Sequence, residues 1–286
     1  MQGNVTPLRP RFGDIEDELE GVDYDKWLRD PPPRDWMVDG CFLTGHVGLI
    51  SGIGGVGKSL LMQQLATCAT MGRPWLGIPL KPGRALMLAC EDDDDELHRR
   101  QRDINRSLGL DMADVLDAGL DCIARDDREN TLMEIDRPTW RMMRTPLMDK
   151  LILRCRRRGI QYVILDTVTA VYGGREIDAR QVAAFIMEMH RLAVLIRGIV
   201  VLVQHPSRSG KRDGSGENGS VQWNNKVRAR LYFHEDAHND LQLEGMKANY
   251  SAKPKPIKLE WRRGVFERVE ASLPPRDYSE AGGYQT

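Results

Sequence analysis

Residues 52–59 read GIGGVGKS and match the spacing G-x4-G-K-S/T. Glycines at 52, 54, 55 and 57 let backbone N–H groups turn inward and approach an anion that a Cβ would hold away. A lysine directly after the last glycine can reach the β- and γ-phosphates of a nucleoside triphosphate, and the hydroxyl that follows can ligate Mg²⁺. Gly52, Gly54, Gly55, Val56, Gly57, Lys58, Ser59 and Leu60 are therefore the expected nucleotide-binding residues, with Ser59 also a metal ligand. The bland alternative is a glycine-rich turn without function. A full match lying between an apolar run and a helical one is the context the functional pattern requires, so ATP or a similar triphosphate, with Mg²⁺, is the expected cofactor pair.

Other polar residues close apolar runs. Asp166 ends YVILD, and an aspartate at the carboxyl end of a buried parallel strand faces the crevice where ligands bind and can hold Mg²⁺. Its alternative is an ordinary strand-end turn residue. Glu91 closes LMLACE and could orient or deprotonate the water that attacks a γ-phosphate. Residues 92–96 are all acidic as well; a solvated acidic cap on the next helix accounts for Asp93 to Asp95. Gln204 and His205 follow GIVVLV, where a polar pair could sense the γ-phosphate and pass its state onward, or His205 could simply bond to backbone. Nothing intrinsic to Arg228 and Arg230 in NNKVRARLYF, or Lys247 in GMKANY, separates an arginine finger from a surface cation.

These residues need elements to position them. HVGLISG (46–52), RALMLACED (84–92), QYVILDT (161–167) and GIVVLVQH (198–205) read as near-continuous apolar strands. Between them lie SLLMQQLATCATMG (59–72), the polar 92–110, TPLMDKLILRCRRRG (145–159) and DARQVAAFIMEMHRLAVLIRG (178–198), all of helical pattern. Strands alternating with helices predict an α/β fold, a mostly parallel sheet flanked by helices on both faces. ARLYFH, LQLEGMKAN and KLEWRRGVFERV alternate, which predicts an antiparallel C-terminal extension. Residues 120–146 read as a short strand at DCIAR and then an irregular stretch. PSRSGKRDGSGENGS (206–220) is almost free of apolar residues and reads as a mobile loop. The expected organisation is an N-terminal arm at 1–35, an ATPase core at 36–270 and a C-terminal tail at 271–286.

Composition narrows the partners. Lysine and arginine total 41 against 42 aspartates and glutamates, so a polyanion would have to be met by a local patch and not by overall charge. No apolar run approaches the ~20 residues that span a bilayer, and MQGNVTPLRPRFGDIEDELE has no secretion-signal pattern. The 5 cysteines contain no C-x-x-C pair, which predicts reduced, buried thiols in a cytoplasmic protein without a membrane partner.

Taken together, GIGGVGKS (52–59), ACEDDDDELHRR (89–100), YVILDTVTAVYGG (162–174), VLVQHPSRSG (201–210), GSVQWNNKVRARLYF (219–233) and KANYS (247–251) resemble RecA-like P-loop ATPases, specifically the plasmid- and phage-type hexameric replicative helicases of the RepA kind. The likeness spans roughly 36–265. It implies a homo-oligomeric ring, usually a hexamer, with each ATP site between neighbouring subunits. By this resemblance Glu91 is the catalytic base, Asp166 the Walker-B acid and His205 the phosphate sensor. Arg228 aligns with the arginine finger, and Lys247 reaches the γ-phosphate across the interface. It also implies that 206–220 lines the channel and that Arg208, Lys211 and Arg212 contact single-stranded DNA backbone. Here the chain departs from the pattern: Asp213 and Glu217 dilute that charge, and no aromatic precedes Trp223. The N-terminal arm, with Trp27 and Trp36, would pack on a neighbour, although Trp36 also suits a core. The expected function is a DNA translocase or helicase in replication of a plasmid, phage or mobile element. A recombinase-like or helicase-loading ATPase, or a nucleotide-gated regulatory module without unwinding activity, is the alternative.

Overall fold

The computed structural model describes residues 21–206, 221–250 and 255–269, and the chain divides into two units, 1–34 and 35–286. In the first, Asp23 caps a 3-10 turn at Tyr24–Leu28 by accepting from the Asp25 amide, and Tyr24 meets Trp27 edge to face.

The second unit opens with strands β1 (Trp36–Val38) and β2 (Phe42–Leu43), an antiparallel pair in which Trp36 is half-buried. Strand β3 (His46–Ser51) leads through the glycine-rich turn into helix α1 (Lys58–Met71) and then β4 (Arg84–Ala89). Helices α2 (Asp94–Leu108) and α3 (Met112–Ala118) precede β5 (Leu120–Ala124). The stretch expected to be irregular instead forms β6 (Met133–Asp136) and β7 (Arg141–Arg144), an antiparallel hairpin that β9 (Tyr172–Gly173) extends. Its apolar residues are too few and too widely spaced to announce strands, because this small sheet covers only the rim of the core. Helix α4 (Pro146–Arg158) leads to β8 (Ile160–Asp166), and the single turn α5 (Val168–Val171) precedes β9; α6 (Ala179–Leu195) and β10 (Ile199–Gln204) follow. After helix α7 (Val221–Lys226) come β11 (Ala229–Glu235), β12 (Leu241–Ala248), β13 (Ile257–Arg262) and β14 (Val265–Arg268).

A nine-stranded sheet runs in the order β14-β13-β12-β11-β3-β10-β8-β4-β5. From β11 to β5 each neighbouring pair is parallel, and β12 to β14 form the antiparallel extension that the alternating C-terminal segments predict. Burial on both faces is why the parallel strands are continuously apolar. Val201 and Val203 pack toward α1, whereas Val200 and Leu202 pack toward α4 and α6.

Helix α1 is buried everywhere except at Ser59 and Met71. Its polar side chains are therefore paired inside: Gln63 donates to the Leu97 carbonyl at 2.9 Å and to Gln101 at 3.0 Å, and Gln101 donates to Asn105 at 2.8 Å. That network locks α2 against α1. On the other side Gln64 exchanges two hydrogen bonds with the backbone of Phe266, at 2.9 and 3.0 Å, so a side chain on α1 substitutes for a neighbouring strand and fixes the β13–β14 hairpin in register.

Trp223, the first aromatic residue after the 206–220 segment, is fully buried against Tyr172 and Phe185. It is core. Trp223→Ala is expected to cost about 3–5 kcal/mol of stability, read as a lower denaturant midpoint with unchanged slope.

Candidate active site

The register of the parallel strands brings their carboxyl ends into one row. Gln204 lies opposite Ser51, and Asp166 lies opposite both Val203 and Ala89. Strands are spaced about 4.8 Å apart, so whatever follows β3, β4, β8 and β10 is gathered at a single crevice. A cleft of about 510 Å³ opens there, lined by Gly55–Leu60, Glu91, Arg100, Asp166, Thr167 and His205 and walled by Leu241, Trp261 and Phe266. That volume suits a small-molecule ligand.

The turn is built for close approach. Gly55 and Gly57 have φ of 81° and 95°, in the left-handed region that favours glycine. A Cβ on Gly57 would lie 2.4 Å from the Phe266 ring, and one on Gly52 would lie 2.3 Å from the Phe233 carbonyl oxygen. Side chains of Asp93, Asp111, Thr145 and Asp178 cap helices α2, α3, α4 and α6, whereas α1 begins at Gly57 with no side-chain cap. Its first-turn N–H groups and positive dipole end are left for an anion. Lys58 Nζ donates to the carbonyls of Gly52 and Ile53 at 2.8 and 2.9 Å and lies 3.3 Å from His205 Nδ1.

Asp166 is 2% exposed, and its Oδ1 has no hydrogen-bond partner among the described residues. Burial pushes its carboxyl up to about 6, the charges of Asp92 and Glu91 act the same way, and the Ser59 hydroxyl bond and Lys58 oppose them. A buried anion with one satisfied oxygen and one orphan is the environment a cation relieves. The donor set of Ser59 and Asp166, beside an uncapped helix start and a lysine, fits Mg²⁺ carried on a triphosphate, which would supply charge neutralisation at the γ-phosphate.

Thr167 donates to Glu91 Oε1 at 2.9 Å, and His205 Nε2 lies 3.9 Å from Glu91 Oε2. Because the Lys58 ammonium can only donate, His205 Nδ1 is the acceptor and the ring proton sits on Nε2, facing Glu91. Lys58, Ser59, Glu91, Asp166 and His205, five residues singled out from the sequence, thus share one cleft. A carboxylate held by a hydroxyl and facing an imidazole is able to orient a water for attack.

Two sets of residues were missed. Arg100 lines the cleft, forms a bidentate pair with Asp92 at 2.6 and 2.9 Å and also holds Glu96 at 2.9 Å. The i, i+4 spacing of Glu96 and Arg100 was the available signal. Leu241, Trp261 and Phe266 come from the extension, and nothing local in the sequence ties those strands to the phosphate turn. Asp93 does act as a helix cap, accepting from the Glu96 amide at 2.7 Å.

Three candidates lie elsewhere. Arg228 follows α7 and its amide bonds to Val47 at the amino end of β3; five strand residues from there to the turn span on the order of 16 Å. Arg228 is exposed, whereas Arg230 is 4% exposed within the sheet. Lys247 sits beside Arg230 in register and donates to the carbonyls of Asn224 and Asn225 at 2.8 and 2.9 Å, so it does not reach the phosphate turn of its own subunit. Arg208, Lys211 and Arg212, the remainder of 207–220, residues 1–20 and the tail at 271–286 lie outside the described residues. The cysteines are free, and burial pushes the Cys41, Cys68, Cys90 and Cys155 thiols up to about 12, as expected of inert, hydrophobe-like side chains. No described helix is long and apolar enough to cross a membrane.

A family model described as AAA domain matches residues 14–211. The chain belongs to that AAA-domain family. Among solved structures, the "ATPase Domain of G40P" is similar with a TM-score of 0.55 at 11% identity, covering 80% of this chain and 87% of that chain. At such identity the likeness is one of fold, and it is the RecA-like α/β arrangement of strands and helices. This AAA-domain protein is a P-loop ATPase.

Lys58→Ala is expected to abolish ATP binding, measured by titration calorimetry. Glu91→Gln should retain binding while lowering kcat by about 10²–10⁴; normal turnover would remove Glu91 from the role of base. Asp166 must be ionised to hold a cation, and its proton returns as pH falls through about 6. Mg²⁺ affinity of the site should therefore weaken below that pH by about tenfold per unit, seen as a rising Mg²⁺ requirement for ATP binding.

Proposed function

We propose that the protein is an ATP-driven, ring-forming motor that moves along single-stranded DNA, a translocase or helicase serving replication of a plasmid, phage or other mobile element. The ATP sites are shared between subunits of a homo-oligomer, a hexamer by the resemblance of its motifs to replicative helicases. Lys58, Ser59 and Asp166 hold triphosphate and Mg²⁺, Glu91 acts as base, and Arg228 and Lys247 of the next subunit complete the site.

The observation carrying this reading is the character of the far end of the sheet. Arg228, Lys247 and His190 gather there, with His190 and Arg228 lining one small cavity. Burial and the nearby Arg228 charge hold the Lys247 ammonium below its ordinary value. Burial, His46 and Arg228 do the same to His190. Burial and the Arg228 charge both act against the Lys247 ammonium, and a phosphate presented by a neighbour would favour it. His205, bonded to Lys58 and facing Glu91, is followed within two residues by the segment carrying Arg208, Lys211 and Arg212. Nucleotide state and DNA contact would be linked through it.

Single-stranded DNA should stimulate ATP turnover several-fold, and native mass should rise to that of a ring with an ATP analogue. Unwinding of a forked duplex supports the helicase, stimulation without unwinding supports a loading factor, and neither supports a regulatory module. Mixing Arg228→Ala with Lys58→Ala subunits tests the shared site: each alone is inactive, and mixed rings should regain part of the activity. No recovery would count against an arginine supplied in trans.

A further inference from the structure

The nucleotide cleft has a wall that the phosphate chemistry does not use. Strands β13 and β14 pair Trp261 directly with Phe266, and directly paired residues stand on the same face of an antiparallel ribbon. Leu241 pairs with Leu259, two residues from Trp261, and so shares that face. Phe266 lies so close to Gly57 that a Cβ there would reach its ring, and Gln64 clamps its backbone from α1. The ribbon is thereby fixed to the phosphate turn. Trp261 nevertheless remains 62% exposed within the cleft. An exposed indole on a rigid wall beside an anion cradle is poorly explained as packing. It presents a free aromatic face at the mouth of a site whose floor takes phosphates.

We propose that Trp261 is the base-binding residue of this ATPase: a nucleobase stacks on its indole ring, with Leu241 and Phe266 completing an apolar wall. The inference rests on the cleft being the nucleotide site and adds the part of the ligand that the phosphate turn cannot read. Stacking is tolerant of base identity, since every base has a π-face. The wall therefore contributes affinity for a nucleoside over bare polyphosphate.

The test compares Mg²⁺-ATP with Mg²⁺-tripolyphosphate by titration calorimetry on the full chain. In the wild type, ATP should bind about 10- to 100-fold more tightly. Trp261→Ala should remove most of that advantage and leave tripolyphosphate binding unchanged, while Trp261→Phe should retain most of it. Because the side chain is largely exposed, unchanged thermal stability is expected for both variants. Trp261→Ala binding ATP as tightly as wild type would overturn the proposal, including when the variant alters oligomeric mass, since that would make Trp261 a subunit contact. Equal loss of ATP and tripolyphosphate binding would overturn it too, by placing the effect on the phosphate turn. Wild-type protein that binds neither compound would instead refute the nucleotide site itself.

Discussion

A carboxylate buried to 2% exposure, with an oxygen that no described protein group satisfies, is the constraint on which the site turns. Asp166 follows the buried apolar run Val163–Leu165, so its charge cannot be relieved by water from below. Relief must come from the cleft side. Ser59 and Lys58 supply part of it, and both are delivered by the first turn of α1. That helix can deliver them only because it is buried on nearly every side and cannot tilt. Its internal polar bonds to α2 and its clamp on Phe266 are thus part of the electrostatics of the site, although none of those groups touches it.

The two ends of the parallel sheet gather different charged groups. At the carboxyl ends, the charges of Asp92 and Glu91 add to burial in raising the cost of charge on Asp166, and Arg100 holds Asp92 in a bidentate pair. At the opposite end, burial first and then the Arg228 charge disfavour the charged forms of Lys247 and His190. In the proposed ring, the acidic cleft of one subunit would meet Arg228 and Lys247 of the next, head to tail. Such a contact is heterologous, and heterologous contacts close into rings when the rotation permits. In the proposed motor the nucleotide would occupy that junction, so that ATP adds its own charge to the interface.

What the sequence makes legible follows from how local the determinant is. The phosphate turn is a contiguous run, and the strands that lead to Glu91, Asp166 and Gln204 are continuous apolar segments, so both the parallel sheet and the acidic side of the site can be read without coordinates. Arg228 and Arg230 cannot be told apart that way. They are two residues apart, yet Arg228 precedes β11 and is exposed, whereas Arg230 lies within it, paired with β3 and β12 and buried. The β6–β7 hairpin was hidden for a related reason: a rim element needs few apolar anchors. Trp261 was hidden by distance. It lies roughly two hundred residues from the turn it faces, and strand pairing through β12 together with the exchange between Gln64 and Phe266 brings the two together.

The position of Lys58 has a consequence for how binding could be transmitted. Its ammonium is shared among two loop carbonyls and His205 Nδ1. Ammonium has three donors and no acceptor, so that set leaves no N–H for a phosphate oxygen. A triphosphate in the cradle competes for the same donors with a charge that a neutral ring nitrogen lacks, and the 3.3 Å contact to His205 is the longest of the three. Losing it leaves Nδ1 without that donor while Nε2 still faces Glu91. A turn of the ring would then act one residue before Pro206 and the segment that follows. The signal would then start as competition for one lysine, with His205, 3.3 Å from its ammonium, placed to register it.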